Sequence, residues 1–287
     1  MAPELAAQIA ALGRIIDPAA TAALYAPLHM QVPDPGMRVN RDLAYGPGER
    51  QRLDVFGMSE PAVARPVLVF VHGGGFTGGN KHMPGTPFYD NIGLWAMRAG
   101  LVGVNMTYPL APAATWPSAS ENVARALRWV RAHIGGHGGD PSRIFLYGHS
   151  AGATHAATYV AFPDIHGPDG PRIAGLILSS GIYDFTTFPF PPAYQSYVGT
   201  DASLYAAHSP LSGLAASAVP KMLAAAELDP PPFVAQFDRL TSALREAAGP
   251  QPRALMLPQH SHLSLTYAIG TDDTAWTGAI AEFIRTA

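Results

Sequence analysis

The strongest constraint on this chain is a rhythm of short, unbroken apolar runs. They are "RLDVF" at 52–56, "VLVFV" at 67–71, "LVGVNMT" at 101–107, "IFLYG" at 144–148, "GLILS" at 175–179, "KMLAAA" at 221–226 and "ALML" at 254–257. A strand with one wet face alternates apolar and polar residues. Runs without that alternation fit strands covered on both faces, as in a parallel sheet. Helical patterns fill the intervals. Residues 118–134 open after Pro117 with Ser118 and Glu121 at capping-box spacing, 231–249 start on prolines and end on Gly249, and 273–287 form a last helix. This order predicts one α/β domain: an open, mostly parallel, doubly wound sheet with helices on both faces.

Two stretches break the alternation. Residues 1–45 read as helical, with Leu5, Ile9, Leu12 and Ile16 at helical spacing. Residues 182–213 are rich in aromatics and proline where a short connection would suffice, and both stretches are expected to form a small cap or lid. A composition 48% hydrophobic and 14% charged can fill a sizeable core. A net charge of −3, with 18 scattered basic residues, leaves no footprint for nucleic acid and no polybasic stretch for a lipid surface. No segment reaches the roughly 20 apolar residues of a membrane span. The N-terminal stretch carries Glu4 and lacks a basic n-region, so a signal peptide is not expected, and a soluble cytoplasmic protein, as a monomer or a homodimer, is. The sequence has no cysteine, which excludes a thiolate nucleophile and a thiolate metal site.

The segment "FLYGHSAGATHAA" (145–157) places Gly148 and Gly152 two positions either side of Ser150. A nucleophilic serine must project its hydroxyl into a cleft at a sharp strand-to-helix turn. That turn strains the serine backbone and crowds the positions two before and two after it, where glycine relieves the crowding. The helix that follows presents its N-terminus, and the amide of Ala151, to developing negative charge. A second motif, "VHGGGF" (71–76), ends the run "VLVFV". Its consecutive glycines expose backbone N–H groups, and Gly73 and Gly74 are expected to join Ala151 in holding an oxyanion. His72 is expected to brace this loop. Lys81 lacks the spacing of a phosphate-binding loop.

These motifs, with "YPLAP" (108–112), "WPSASENVARALRWV" (116–130), "DPSRI" (140–144), "SPL" (209–211) and "LDP" (228–230), resemble the hormone-sensitive-lipase-like α/β-hydrolases over roughly residues 67–265. The pairing of "HGGGF" with "GHSAG" is the specific part of that resemblance. It implies an α/β-hydrolase fold and hydrolysis of small acyl or aryl esters, or of arylamides and formamides, without a cofactor. The chain departs from the family at Pro109, where arginine is usual, and at Asn122, where an acid is usual. A less favoured reading is a ligand receptor on a hydrolase scaffold, but in that class the base is often lost.

A serine hydroxyl needs a base, and the base needs a carboxylate to hold its tautomer. In this fold the chain order is serine, acid, histidine. Of the histidines after Ser150, only His260 and His262 follow a late strand, and the resemblance favours His262. Asp229 directly follows the run "KMLAAA", at a strand's C-terminal edge. Its competing role is helix N-cap, and Glu227 is the runner-up acid. His149 is expected to point away from the cleft and support its neighbours. A pocket of Phe76, Phe88, Tyr89, Phe188, Tyr194 and Tyr197 would favour apolar or aryl groups. Neither HExxH nor a carboxylate cluster calls for a metal.

Overall fold

The computed structural model describes residues 1–29, 36–59 and 63–287. Among these, eight strands form one sheet: β1 (Met37–Ala44), β2 (Arg52–Met58), β3 (Arg65–Val71), β4 (Val102–Met106), β5 (Gly139–His149), β6 (Gly175–Ser179), β7 (Lys221–Leu228) and β8 (Arg253–Ser261). Their order is β1-β2-β4-β3-β5-β6-β7-β8. The pairs β1–β2 and β2–β4 are antiparallel, and all the others are parallel. The helices are α1 (Pro3–Leu12), α2 (Pro18–Tyr25), α3 (Asp90–Arg98), α4 (Ser118–His133), α5 (Ala151–Ala161), α6 (Pro163–His166), α7 (Pro192–Val198), α8 (Tyr205–His208), α9 (Leu211–Ala216), α10 (Pro231–Glu246), α11 (Ser264–Tyr267) and α12 (Ala275–Thr286).

Double coverage explains the unbroken apolar runs. Successive side chains of a strand point to opposite faces. Along β3, Val67, Val69 and Val71 join a core with Leu127 of α4, Ala153 of α5 and Leu240 of α10. Leu68 and Phe70 join a second core with Ile9 of α1, Ile92 of α3 and Ile280 of α12. A central strand such as β3 therefore needs apolar side chains at both parities. No helix among the described residues is long and apolar enough to cross a membrane.

Two sequence expectations are corrected here. Residues 37–44 are not helical but form the edge strand β1, which pairs only with β2 and has no fully buried residue. Its hydrogen bonds hold it, not an apolar pattern, so "MRVNRDLA" carries no strand signature. Residues 30–35 of the same stretch lie outside the described residues. The capping box of α4 does not form. Pro117 is the N-cap residue, its carbonyl accepting the amides of Ser120 at 2.9 Å and Glu121 at 3.2 Å, and Ser118 is already helical. The box needs its serine one position outside the helix.

Register gathers the C-terminal strand ends. Val71 lies beside Gly148, His149 beside Ser179, Ser179 beside Ala224, and Leu228 beside Ser261. The loops that leave β3, β5, β6, β7 and β8 therefore converge on one edge of the sheet, where open α/β folds place their sites.

Candidate active site

Ser150 sits between β5 and α5 with φ 55° and ψ −124°, a left-handed φ that a side-chain-bearing residue adopts only under constraint. Its amide donates to the Ser179 carbonyl at 2.9 Å, and its carbonyl accepts the amide of Ala153 at 3.0 Å. The flanking glycines are forced by space. A Cβ on Gly148 would lie 2.4 Å from the Gly152 carbonyl oxygen, and one on Gly152 would lie 2.1 Å from that of Val71. Both are collisions with backbone, which cannot step aside.

The turn leaves Ser150 facing His262. Ser150 Oγ lies 2.8 Å from His262 Nε2, and His262 Nδ1 lies 2.6 Å from Asp229 Oδ1. Asp229 is fully buried, and its second oxygen accepts the Ser180 hydroxyl at 2.6 Å and the Ala226 amide at 2.8 Å. Burial by itself would raise the Asp229 carboxyl. The His262 ring and these donors outweigh burial and hold the group below its ordinary value. Asp229 caps no helix, since Pro230 occupies the N-cap of α10. Glu227 accepts the Gln259 amide at 2.7 Å, between β7 and β8. His260 faces elsewhere, with Nδ1 2.9 Å from Ser264 Oγ and Nε2 3.3 Å from Asp273. His149 places Nε2 2.9 Å from the His262 carbonyl, which holds the backbone of the loop after β8. Burial, with the nearby His262 ring, lowers His149 to about 3 and keeps it a neutral donor.

The glycine loop closes over this group. A Cβ on Gly73 would stand 3.0 Å from Ser150 Cβ, so the backbone of Gly73 abuts the serine. Gly74, at φ 127°, accepts the amide of Gly78 at 2.9 Å. Among the described residues, the amides of Gly73, Gly74 and Ala151 donate to no other group. His72 braces the loop as expected: Nδ1 lies 2.6 Å from the Gly73 carbonyl, and its ring stacks on Tyr108 at 4.4 Å. Three unclaimed amides around a serine–imidazole–carboxylate relay can stabilise an anion formed on an atom bonded to Ser150.

Residues 68–251 match a family described as alpha/beta hydrolase fold. The chain belongs to this family. It is 31% identical over 242 residues to the esterase LipQ of Mycobacterium tuberculosis, covering 77% of this chain and 56% of that protein. The chain spans about half, or less, of the length of the first three curated relatives it matches. Among solved structures, an inhibited esterase B of Lactobacillus rhamnosis superposes with a TM-score of 0.75 at 16% identity, over 98% of this chain and 96% of that one. An esterase of Rhizomucor miehei gives a TM-score of 0.72 at 21% identity, over 99% and 97%. At such identities the two superpositions establish the fold.

The aromatic residues of this α/β hydrolase divide. Phe88 and Tyr89 do not wall the site. They precede α3 and are drawn into the second core, where Phe88 stacks on Tyr267 at 3.9 Å and Tyr89 packs on Phe70 at 5.3 Å. Phe76 and Tyr197 stack on each other at 4.8 Å, both buried in the first core, with the His155 ring against each. Tyr194 and Phe188, from the 182–213 segment, do approach. Tyr194 lies over Gly75, Phe188 is parallel to Tyr194 at 6.3 Å, and Phe188 meets Phe233 edge-on at 5.2 Å. Phe233 of α10 in turn packs on the His262 ring at 4.6 Å. Sequence reasoning missed Phe233 and Ser180, because nothing local marks a phenylalanine near a helix start or a serine after a strand. At the departure from the usual family residues, Asn122 accepts the Gln51 amide at 2.7 Å, so a neutral pair stands there.

Proposed function

We propose that the protein is a serine carboxylesterase that hydrolyses small acyl or aryl esters through an acyl-enzyme. The observation that carries this reading is the continuous relay Ser150–His262–Asp229, with contacts of 2.8 and 2.6 Å. Ser150 Oγ attacks the ester carbonyl as its proton passes to His262 Nε2. Asp229 holds the Nδ1 proton and offsets the charge of the imidazolium, and Ser180 and the Ala226 amide keep the carboxylate turned to that task. The oxyanion lies on the amides of Gly73, Gly74 and Ala151, where loss of one donor costs about 2.7–4 kcal/mol in the barrier. His262 returns its proton to the leaving alkoxide, and the alcohol departs. Water then attacks the acyl group, its proton passing through His262 to Ser150, and the acid is released.

The 182–213 segment acts as the cap. Phe188 and Tyr194, with Phe233, form an uncharged wall from the oxyanion loop to the base, which suits apolar and aryl groups over charged ones. The cytoplasm is the compartment we propose. Cell fractionation tests it. The activity is tested with p-nitrophenyl esters of graded acyl length on wild type and Ser150→Ala, alongside matched amides. Wild type should turn over the short esters faster than the amides, Ser150→Ala should be inactive, and a phosphonate should label Ser150 alone. Ester turnover that survives Ser150→Ala, or labelling elsewhere, overturns the reading.

A further inference from the structure

Arg50 lies in the turn between β1 and β2, well separated along the chain from every residue of the relay. Its guanidinium is half-buried and, among the described residues, has no carboxylate within ion-pair distance. Burial lowers its pKa from the usual arginine value, so the group carries a desolvation cost that no counter-charge directly relieves. It meets that cost with two carbonyls: Nε donates to Tyr108 O and Nη2 to Gly79 O, each at 2.8 Å. Its own backbone is held too, since the Thr107 hydroxyl donates to Arg50 O at 2.7 Å.

One bond ends on the oxyanion loop, at Gly79, and the other on Tyr108, which contacts that loop. Gly79, at φ +94°, lies directly against the start of that loop, where a Cβ would come within 2.1 Å of Gly73 O and 2.5 Å of His72 Nδ1. The loop is also closed by the Gly78 amide on Gly74 O at 2.9 Å. Tyr108 reaches it from the other side: its hydroxyl donates to His72 O at 2.7 Å, and its ring stacks on His72. One planar cation therefore ties the end of the 72–79 loop to the residue that holds its beginning. Nε and Nη2 are separate nitrogens of one rigid plane, whereas a lysine at position 50 would have to reach both carbonyls from a single nitrogen on a flexible stem.

We propose that Arg50 is a positioning residue which, through Gly79 and Tyr108, holds the Gly73 and Gly74 amides at the place an oxyanion occupies. The assignment rests on the esterase reading. Removing one donor from an oxyanion hole costs about 10²–10³ in kcat, and loosening two donors without deleting either should cost less, about tenfold to a hundredfold. Arg50→Ala should show that loss in kcat on a p-nitrophenyl ester, with KM changed only a few-fold. Methylguanidinium should restore part of kcat in Arg50→Ala and leave wild type unchanged, and Arg50→Lys should stay impaired. Amide hydrogen exchange should quicken over residues 72–79 and remain as in wild type over β5 and β6. Wild-type kcat in Arg50→Ala, full activity in Arg50→Lys, or unchanged exchange over 72–79 would each overturn the proposal. An inactive wild type whose loop exchange still rises on Arg50→Ala sinks the esterase reading and leaves the brace standing.

Discussion

His262 and His260 stand two residues apart, both buried and both facing a carboxylate, Asp229 at 2.6 Å and Asp273 at 3.3 Å. What separates them is the other nitrogen. That of His262 meets a strained serine hydroxyl beside unclaimed amides, whereas that of His260 meets Ser264, whose oxygen already accepts the Ser261 amide at 2.8 Å. His262→Ala should therefore lower kcat by about four to six powers of ten. His260→Gln should leave kcat within a few-fold of wild type and lower the melting temperature, because its Asp273 contact is structural. Steady-state kinetics and thermal denaturation of the two variants check this pair, and the reverse pattern would move the base to His260. Asp229 adds a pH expectation. Its folded pKa is depressed, so its charge persists as pH falls through the ordinary carboxylate range and is lost only below it. Protonation of Asp229 should then not set the acid limb of kcat, and Asp229→Asn should cost about 10⁴ in kcat.

At the scale of the element, the β5–Ser150–α5 turn is legible in sequence because its requirements are local. The glycines are needed at fixed distances from the bend, and their Cβ positions are filled by the backbones of Val71 and Gly152. Gly152→Ala should cost more than the usual core substitution, above about 3 kcal/mol, because the new methyl meets β3 backbone and α5 must shift. Gly135→Ala is the matched control: nothing lies within 4 Å of its Cβ position. It should be neutral, or stabilising by about 0.4–1 kcal/mol through the unfolded chain. Urea denaturation midpoints compare the two, and equal stabilities would show that the turn yields easily. The β1 strand is the opposite case. In the sheet it pairs with β2 alone, its side chains are half-buried or exposed, and an irregular register around Asp42 blurs what pattern remains.

Among the buried imidazoles that the relay does not use for proton transfer, three are kept neutral by burial. Burial lowers His72, His149 and His155 each to about 3. In the unfolded chain each would titrate near 6.5, about the ordinary histidine value. Above that pH both states are neutral and stability is whole. As pH falls through it the unfolded chain gains protons that the folded protein refuses, so stability declines until the folded values are reached. Each group contributes a slope of about 1.4 kcal/mol per pH unit in that window. His155 is the cleanest probe, because both its ring nitrogens lack partners among the described residues and it is packed by Phe76, Tyr108 and Tyr197. Urea unfolding between pH 7.5 and 4.5 should show the decline, and His155→Leu should flatten it by about one such slope. An unchanged slope would mean that His155 takes up its proton in the folded state.

Sequence by itself determined whatever depends on neighbours in the chain. The seven strands read from apolar runs, the fold class, the glycines around Ser150 and the glycine-rich loop after β3 all follow from steric and hydrophobic rules that act over a few residues. Asp229 could be chosen because the end of a parallel strand is a place as well as a position. The tertiary structure alone decided which side chains meet. It turned His262 to Ser150 and Asp229, across 112 and 33 residues of chain, and His260 to Asp273. It carried Phe88 and Tyr89 under the sheet, and it brought Ser180, Phe233 and Arg50 to a site that no local pattern connects them with. Those contacts are set by strand register and by the direction in which each loop leaves the sheet, and neither is written in the residues that make the contact.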